Sequence, residues 1–303
     1  MSRHYQGNPK YIPGLLFVLL CAAACEPQQT AEDAEKAAAI ENVDAMSREH
    51  ANDTATPSEG ARIAAERPVV AEKLAYAEVG DDLSYGHFVI PTDMVKPLPA
   101  VIVIHEWWGL NDGVRAMADR LAGLGYIVLA VDLFGGKTAT TPGDARALMM
   151  EVVEDPESAN ENIRQAYDFV RNTAGAPRVA SLGWCFGGGW SLNTALLFPE
   201  ELDAAVIYYG RVTTSESRLR PLSVPILGIF GAEDSGIPVD SVRGFEKALE
   251  NLGKDYEIEI YPDVGHAFAN PSGNNYNAEA ADKAWEQTVA FLNRHLHGPT
   301  NSG

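Results

Sequence analysis

The sequence predicts an α/β protein with a mostly parallel central sheet and helices on both faces, and three observations carry that expectation. From Val69 onward, strand-like and helix-like segments alternate to the end, the pattern of helices wrapped around a parallel sheet. Several strand-like runs, Ala100 to Ile104 and Tyr126 to Val131 among them, are apolar on both faces, as strands covered on both sides must be. A third run, Val179 to Leu182, leads into Gly183-Trp184-Cys185-Phe186-Gly187, where a strand must turn sharply into a helix. With 46% apolar residues in 303, the chain can bury a core. Its 42 acidic against 23 basic residues leave no basic stripe to neutralise phosphates, which argues against a nucleic-acid partner.

In chain order, Arg3 and Lys10 precede an apolar run from Ile12 to Ala24, which reads as a signal peptide over residues 1–24. The run is short for a membrane span, which needs ~20 apolar residues. Ala22-Ala23-Ala24-Cys25 is similar to a lipoprotein cleavage site, although Ala22 stands where leucine is commonest. Cleavage ahead of Cys25 would leave its thiol to carry lipid, and Glu26 at the next position points to the outer membrane. Ordinary cleavage after Ala-x-Ala and an uncleaved anchor are the alternatives. Without a twin-arginine pair, the general secretory route to a periplasm-facing site is expected. Residues 25–68 are rich in Ala, Glu, Asp, Asn and Thr and read as a disordered, solvated acidic tether. Residues 69–297 are the folded domain and 298–303 a flexible tail.

Within the domain, strands are expected at Tyr85–Ile90, Ala100–His105, Tyr126–Val131, Arg178–Leu182, Ala204–Tyr208, Ile226–Phe230 and Tyr256–Tyr261. Helices are expected at Asp112–Leu124, Asp144–Glu154, Ser158–Thr173, Val239–Leu252 and Ala278–His295, each from an apolar stripe at helical spacing.

Chemistry gathers where strands end. Gly183-x-Cys185-x-Gly187 has the form of a nucleophile elbow, whose apex is held in a strained conformation with its side chain exposed above the sheet. The following helix N-terminus favours a thiolate there. Cys21 lies in the leader and Cys25 at its edge, so Cys185 is alone in the mature body and no internal disulfide is possible. Asp234 follows the strand ending at Phe230, and His266 follows the strand ending at Tyr261. Strand C-termini share one sheet edge, so Cys185, His266 and Asp234 can meet as nucleophile, base and base-orienting acid. Oxyanion donors are expected from the backbone N–H groups of Phe186 and Trp107. Glu106, in His105-Glu106-Trp107-Trp108-Gly109, is either a surface glutamate at a strand end or an acid that contacts the thiol. Trp108, Tyr209, Lys137 and Arg211 are the candidate substrate-binding side chains. His295 and His297, one residue apart near the C-terminus, raise a metal only weakly, and no stronger metal-ligand spacing occurs.

His105-Glu106-Trp107-Trp108-Gly109, Asp132-Leu133-Phe134, Gly183-Trp184-Cys185-Phe186-Gly187-Gly188, Gly231-Ala232-Glu233-Asp234 and Gly265-His266-Ala267-Phe268 together resemble the dienelactone hydrolase (carboxymethylenebutenolidase) family, from about Ala75 to Leu296. The resemblance implies an α/β-hydrolase fold and a triad of Cys185, His266 and Asp234. It also implies a Glu106 that gates the thiol, and hydrolysis of lactones or esters without metal or organic cofactor. Two arginines that hold the substrate carboxylate in that family are missing: Gly135-Gly136-Lys137 and Ala269-Asn270-Pro271 stand in their places. Dienelactone is therefore expected to be a poor substrate. The expectation is a monomeric hydrolase of a small ester or lactone. Acyl transfer by the same triad and a non-catalytic ligand- or partner-binding lipoprotein are the alternatives.

Overall fold

The computed structural model describes residues 1–2, 4, 26–58, 61 and 63–297. Residues 5–25, which carry most of the expected leader and Cys25, and the tail 298–303 lie outside the described residues. The chain divides into two units, 1–38 and 39–303. In the first, the described residues are mostly exposed and include the start of helix α1 (Glu26–Glu49). Among the described residues no helix is long and apolar enough to cross a membrane.

The second unit is built on one eight-stranded sheet. In chain order its elements are β1 (Val69–Val79), β2 (Asp82–Pro91), β3 (Ala100–Ile104), α2 (Asp112–Gly123), β4 (Ile127–Val131), α3 (Pro142–Glu154) and α4 (Pro156–Asp168), which runs into a π-helical turn at Phe169–Thr173. Then come β5 (Val179–Trp184), α5 (Phe186–Leu197), β6 (Ala204–Tyr208), the short α6 (Glu216–Leu219), β7 (Ile226–Gly231), α7 (Val239–Asn251), β8 (Tyr256–Tyr261) and α8 (Ala278–Leu296). The strand order is β1-β2-β4-β3-β5-β6-β7-β8. β1 and β2 are antiparallel, β2 meets β4 antiparallel, and all later pairs are parallel. The predicted α/β fold is thus present.

β3 to β7 are buried along their whole length, which is why their sequences are apolar without alternation. β1 was not anticipated. It is an edge strand, exposed over much of its length, so its Ala-, Glu- and Lys-containing sequence lacks a burial signature. Helix starts follow ordinary capping chemistry: the side chains of Asn111, Thr141 and Asn277 each accept an N–H from the first turn of α2, α3 and α8.

The six parallel strands end on one edge, and each is followed by a residue singled out above or its neighbour: Glu106 after β3, Asp132 after β4, Cys185 after β5, Tyr209 after β6, Asp234 after β7, His266 after β8. α5 begins hard against that edge. A Cβ on Gly187 would strike the carbonyls of Ile104 and His105, and one on Gly188 would strike that of Tyr208, so only glycine lets the helix N-terminus approach this closely.

The stretch expected to be a solvated tether is not one throughout. Val43, Met46 and His50 are buried, and Asp44 pairs with Arg146 of α3 at 2.6 Å. Beyond the helix, Ser58 exchanges hydrogen bonds with Ser272 and Pro271 at 2.8 and 2.9 Å. Residues 39–58 therefore form an arm docked on the body. The physical reason is a short stripe, Val43, Met46 and His50, spaced three and four apart on one helix face. It is too small to show against the polar composition around it.

Candidate active site

Cys185 lies at the turn between β5 and α5 with φ 56 and ψ −117, a conformation that L-residues adopt only when their surroundings hold them there. Its N–H donates to the Tyr208 carbonyl at 2.9 Å, and its carbonyl accepts from Gly188 and Gly189 at 3.0 and 3.2 Å. The backbone is pinned from both sides.

His266 and Asp234 are brought to the same place. His266 Nδ1 and Asp234 Oδ2 are 2.8 Å apart, with both side chains fully buried. The other carboxylate oxygen, Oδ1, accepts the N–H groups of Gly236 and Ile237, each at 2.8 Å, so Asp234 is held as well as holding. An acceptor at Nδ1 fixes one proton there and leaves Nε2 as the nitrogen that exchanges a proton with the thiol. That Nε2 is buried and makes no hydrogen bond among the described residues. Burial pulls the His266 pKa down, but the charges of Cys185 and Asp234 outweigh it and hold the imidazole well above its ordinary value. Burial likewise pushes the Cys185 thiol up, while His266 and His50 bring it down to about 6.

The thiol does not stand exposed above the sheet as expected. Cys185 is 2% exposed because the arm covers it: Met46 Sδ lies 3.5 Å from Sγ and His50 Nε2 lies 3.7 Å away. His50 stacks on Trp107 with ring centroids 4.5 Å apart and meets His266 edge-on at 5.2 Å. Its Nδ1 is held by Asp53 Oδ2 at 2.7 Å, and Asp53 in turn accepts from Asn274 Nδ2 at 2.7 Å.

Glu106 is half-buried at the site rather than lying at the surface. Burial, then the neighbouring Cys185 charge, raises its pKa to about 7, and Asn270 Nδ2 donates to its Oε2 at 2.8 Å. Phe186 opens α5, so its N–H has no partner within the helix. Trp107 follows Glu106 in the loop against which α5 begins. Tyr209 is buried with its ring edge-on to His266 at 5.1 Å, and its hydroxyl has no partner among the described residues. Trp108 lines a cleft with Glu106, Trp184, Asn270 and the arm residues Thr54 and Pro57.

Of the two expected cationic contacts, Lys137 is exposed and paired with Glu151 at 2.8 Å, on a loop where Asp132 accepts the N–H groups of Phe134 and Gly136 at 2.8 and 2.6 Å. Arg211 lies against Gly189 of α5. His295 and His297 meet different rings, Phe291 and Tyr126, and share no site. Sequence reasoning missed Met46, His50, Asp53 and Asn270. The spacing of Met46 and His50 on one helix face was the available signal for the arm; nothing in the sequence marked Asn270 as the partner of Glu106.

Comparison with known proteins places the chain in a family. The profile of the dienelactone hydrolase family matches residues 85–296. A protein of Saccharolobus solfataricus, provisionally named a carboxymethylenebutenolidase, is 32% identical over 237 residues, covering 66% of this chain and 90% of the relative. One from Escherichia coli K12 with the same provisional name is 30% identical over 241 residues, covering 75% and 88%. The crystal structure of a provisionally assigned dienelactone hydrolase from Klebsiella pneumoniae superposes with a TM-score of 0.66 at 26% identity, covering 75% of this chain and 99% of that one. The chain belongs to the dienelactone hydrolase family.

Proposed function

We propose that the protein hydrolyses small esters or lactones through a thioester on Cys185. The observation that carries this reading is the fully buried His266–Asp234 pair at 2.8 Å, whose remaining imidazole nitrogen is unbonded beside a thiol held at a strained elbow. An imidazole in that tautomer is a base for the thiol, and the carboxylate behind it offsets the charge it gains.

In the reaction, His266 Nε2 holds the thiol proton, as the lowered thiol and raised imidazole favour, and the Sγ thiolate attacks the substrate carbonyl. The C=O electrons move onto oxygen, where the N–H groups of Phe186 and Trp107 receive them; one such donor is worth about 10²–10³ in rate. Collapse breaks the C–O bond to the leaving group, which takes the proton from His266. Water then gives its proton to His266 and attacks the thioester, the C–S bond breaks, and acid product leaves with the thiol restored. Lifting of the arm must precede this, because Met46 and His50 occupy the approach to Sγ.

Where the family's two carboxylate-holding arginines would stand, this chain has Lys137, which is paired with Glu151, and Asn270, which is engaged with Glu106. This supports neutral esters or lactones over a carboxylate-bearing dienelactone. Glu106, with its pKa near neutrality, serves as the acid beside the thiol. A panel of activated esters, lactones and dienelactone, with Cys185→Ala as control, tests the reading. Activity lost in the variant supports it; a folded wild type inert to the whole panel speaks for ligand capture instead. The leader and Cys25 further lead us to propose export and lipid anchoring, tested by labelling with a fatty-acid analogue. Label that persists in Cys25→Ser would overturn the anchor.

A further inference from the structure

Cys185, His50, His266 and Met46 converge from the body and the arm, and hydrolysis does not account for the pair supplied by the arm. One ring nitrogen of each histidine and the cysteine sulfur all lie within 4.8 Å of one another. Met46 Sδ stands 3.5 Å from that sulfur. A tetrahedral ion bound at ~2.3 Å to sulfur and ~2.0–2.1 Å to nitrogen needs its ligand atoms roughly 3.3–3.8 Å apart. The Cys185–His50 separation of 3.7 Å and the Cys185–Met46 separation of 3.5 Å already meet this.

The outer shell has the form that metal-binding histidines use. Each imidazole is backed at Nδ1 by a carboxylate, His50 by Asp53 at 2.7 Å and His266 by Asp234 at 2.8 Å, so both tautomers turn Nε2 inward. His266 Nε2 is fully buried and has no hydrogen-bond partner among the described residues, an orphaned donor atom aimed at the gap. His50 is further fixed by its stack on Trp107. One thiolate, one thioether and two imidazoles form a soft donor set suited to thiophilic d¹⁰ ions, and the thioether favours Cu(I) over Zn(II).

We propose that Cys185, His50, His266 and Met46 form a site for one thiophilic metal ion, Cu(I) in preference to Zn(II), which closes the arm on the body and silences the thiol. The ion binds Cys185 as its thiolate and both histidines at Nε2, and the Nε2 protons that the imidazoles hold beside the thiolate leave to solvent. No electron is transferred. The site does not depend on the hydrolase reading, because it requires only the donors.

The test is titration of the full chain with Co(II) as a spectroscopic probe, and competition of Zn(II) and Cu(I) against chromophoric chelators. One equivalent should bind, with a thiolate-to-cobalt absorption band that Cys185→Ser removes. Asp53→Asn should weaken binding about 10–100-fold, and His50→Ala at least as much. Met46→Leu, which preserves packing, should lower Cu(I) affinity and leave Zn(II) affinity nearly unchanged. Absence of stoichiometric binding by the folded wild type overturns the proposal, as does equal affinity in wild type and His50→Ala. Both readouts are independent of ester turnover, so a failed hydrolase assay does not decide them.

Discussion

The body and the arm approach the same sulfur by different means. In the body, Cys185, Asp234 and His266 sit at the ends of strands buried on both faces, and their positions follow from sheet order and turn geometry. In the arm, Met46 and His50 reach the thiol from the end of a half-exposed helix that holds on through a three-residue stripe, an ion pair and a few loop hydrogen bonds. The body's site is as stable as the fold, whereas the arm's contribution is local and opens at smaller cost. A rigid constellation under a removable cover separates chemistry from access.

The largest effect should come from breaking the body's half. Cys185→Ala or His266→Ala should lower kcat/KM for an activated ester by about 10³-fold or more, measured with folding checked by circular dichroism. Loss of less than tenfold would remove the triad from the account. Next in size is the cover itself: Met46→Ala deletes a buried side chain, and such deletions cost about 2–5 kcal/mol. The loss should fall on the docking of the arm, so that alkylation of Cys185 speeds at least tenfold while the melting temperature of the body barely moves. A fall in the body's melting temperature alongside the faster alkylation would mean that arm and body are one cooperative unit.

Two further tests sharpen the electrostatics. In wild type, alkylation should persist down to about pH 6, following the lowered Cys185 pKa; His266→Ala removes the main lowering charge and should move the inflection up toward the ordinary thiol range. Glu106 works in the opposite sense. Its folded pKa, about 7, is above its unfolded value, so folding takes up a proton and stability is lost as pH rises from about 4.5 toward about 7. Glu106→Gln should therefore match wild type near pH 4 and exceed it above pH 7, by up to about 3 kcal/mol at 1.36 kcal/mol per pH unit. The smallest effect belongs outside the site: Lys137→Ala should change kcat/KM less than about twofold, since its exposed pair with Glu151 is worth at most about 1 kcal/mol.

How much could be read in advance divides along the same line. The buried strands, the elbow glycines and the acid and histidine after β7 and β8 were legible because each demands particular residues locally: branched apolar runs, Gly beside the apex, turn residues behind the strand. The edge strand β1 and the arm were not. β1 buries too little to show alternation, and the arm's large apolar residues are only Ile40, Val43 and Met46 among many polar ones and alanines. Lys137 misled for another reason. Proximity in sequence to a strand end does not fix where a long side chain goes, and Lys137 pairs with Glu151 at the surface. The pairing of Asn270 with Glu106 joins loops 164 residues apart, and no local pattern announces such a contact.

The most direct measurement is mass spectrometry of the chain quenched during turnover of a slowly deacylating activated ester. The account predicts an added acyl mass on the Cys185 peptide, formed and lost at rates matching turnover and missing in Cys185→Ala. Turnover with no acyl group on Cys185, or undiminished turnover by Cys185→Ala, would contradict it.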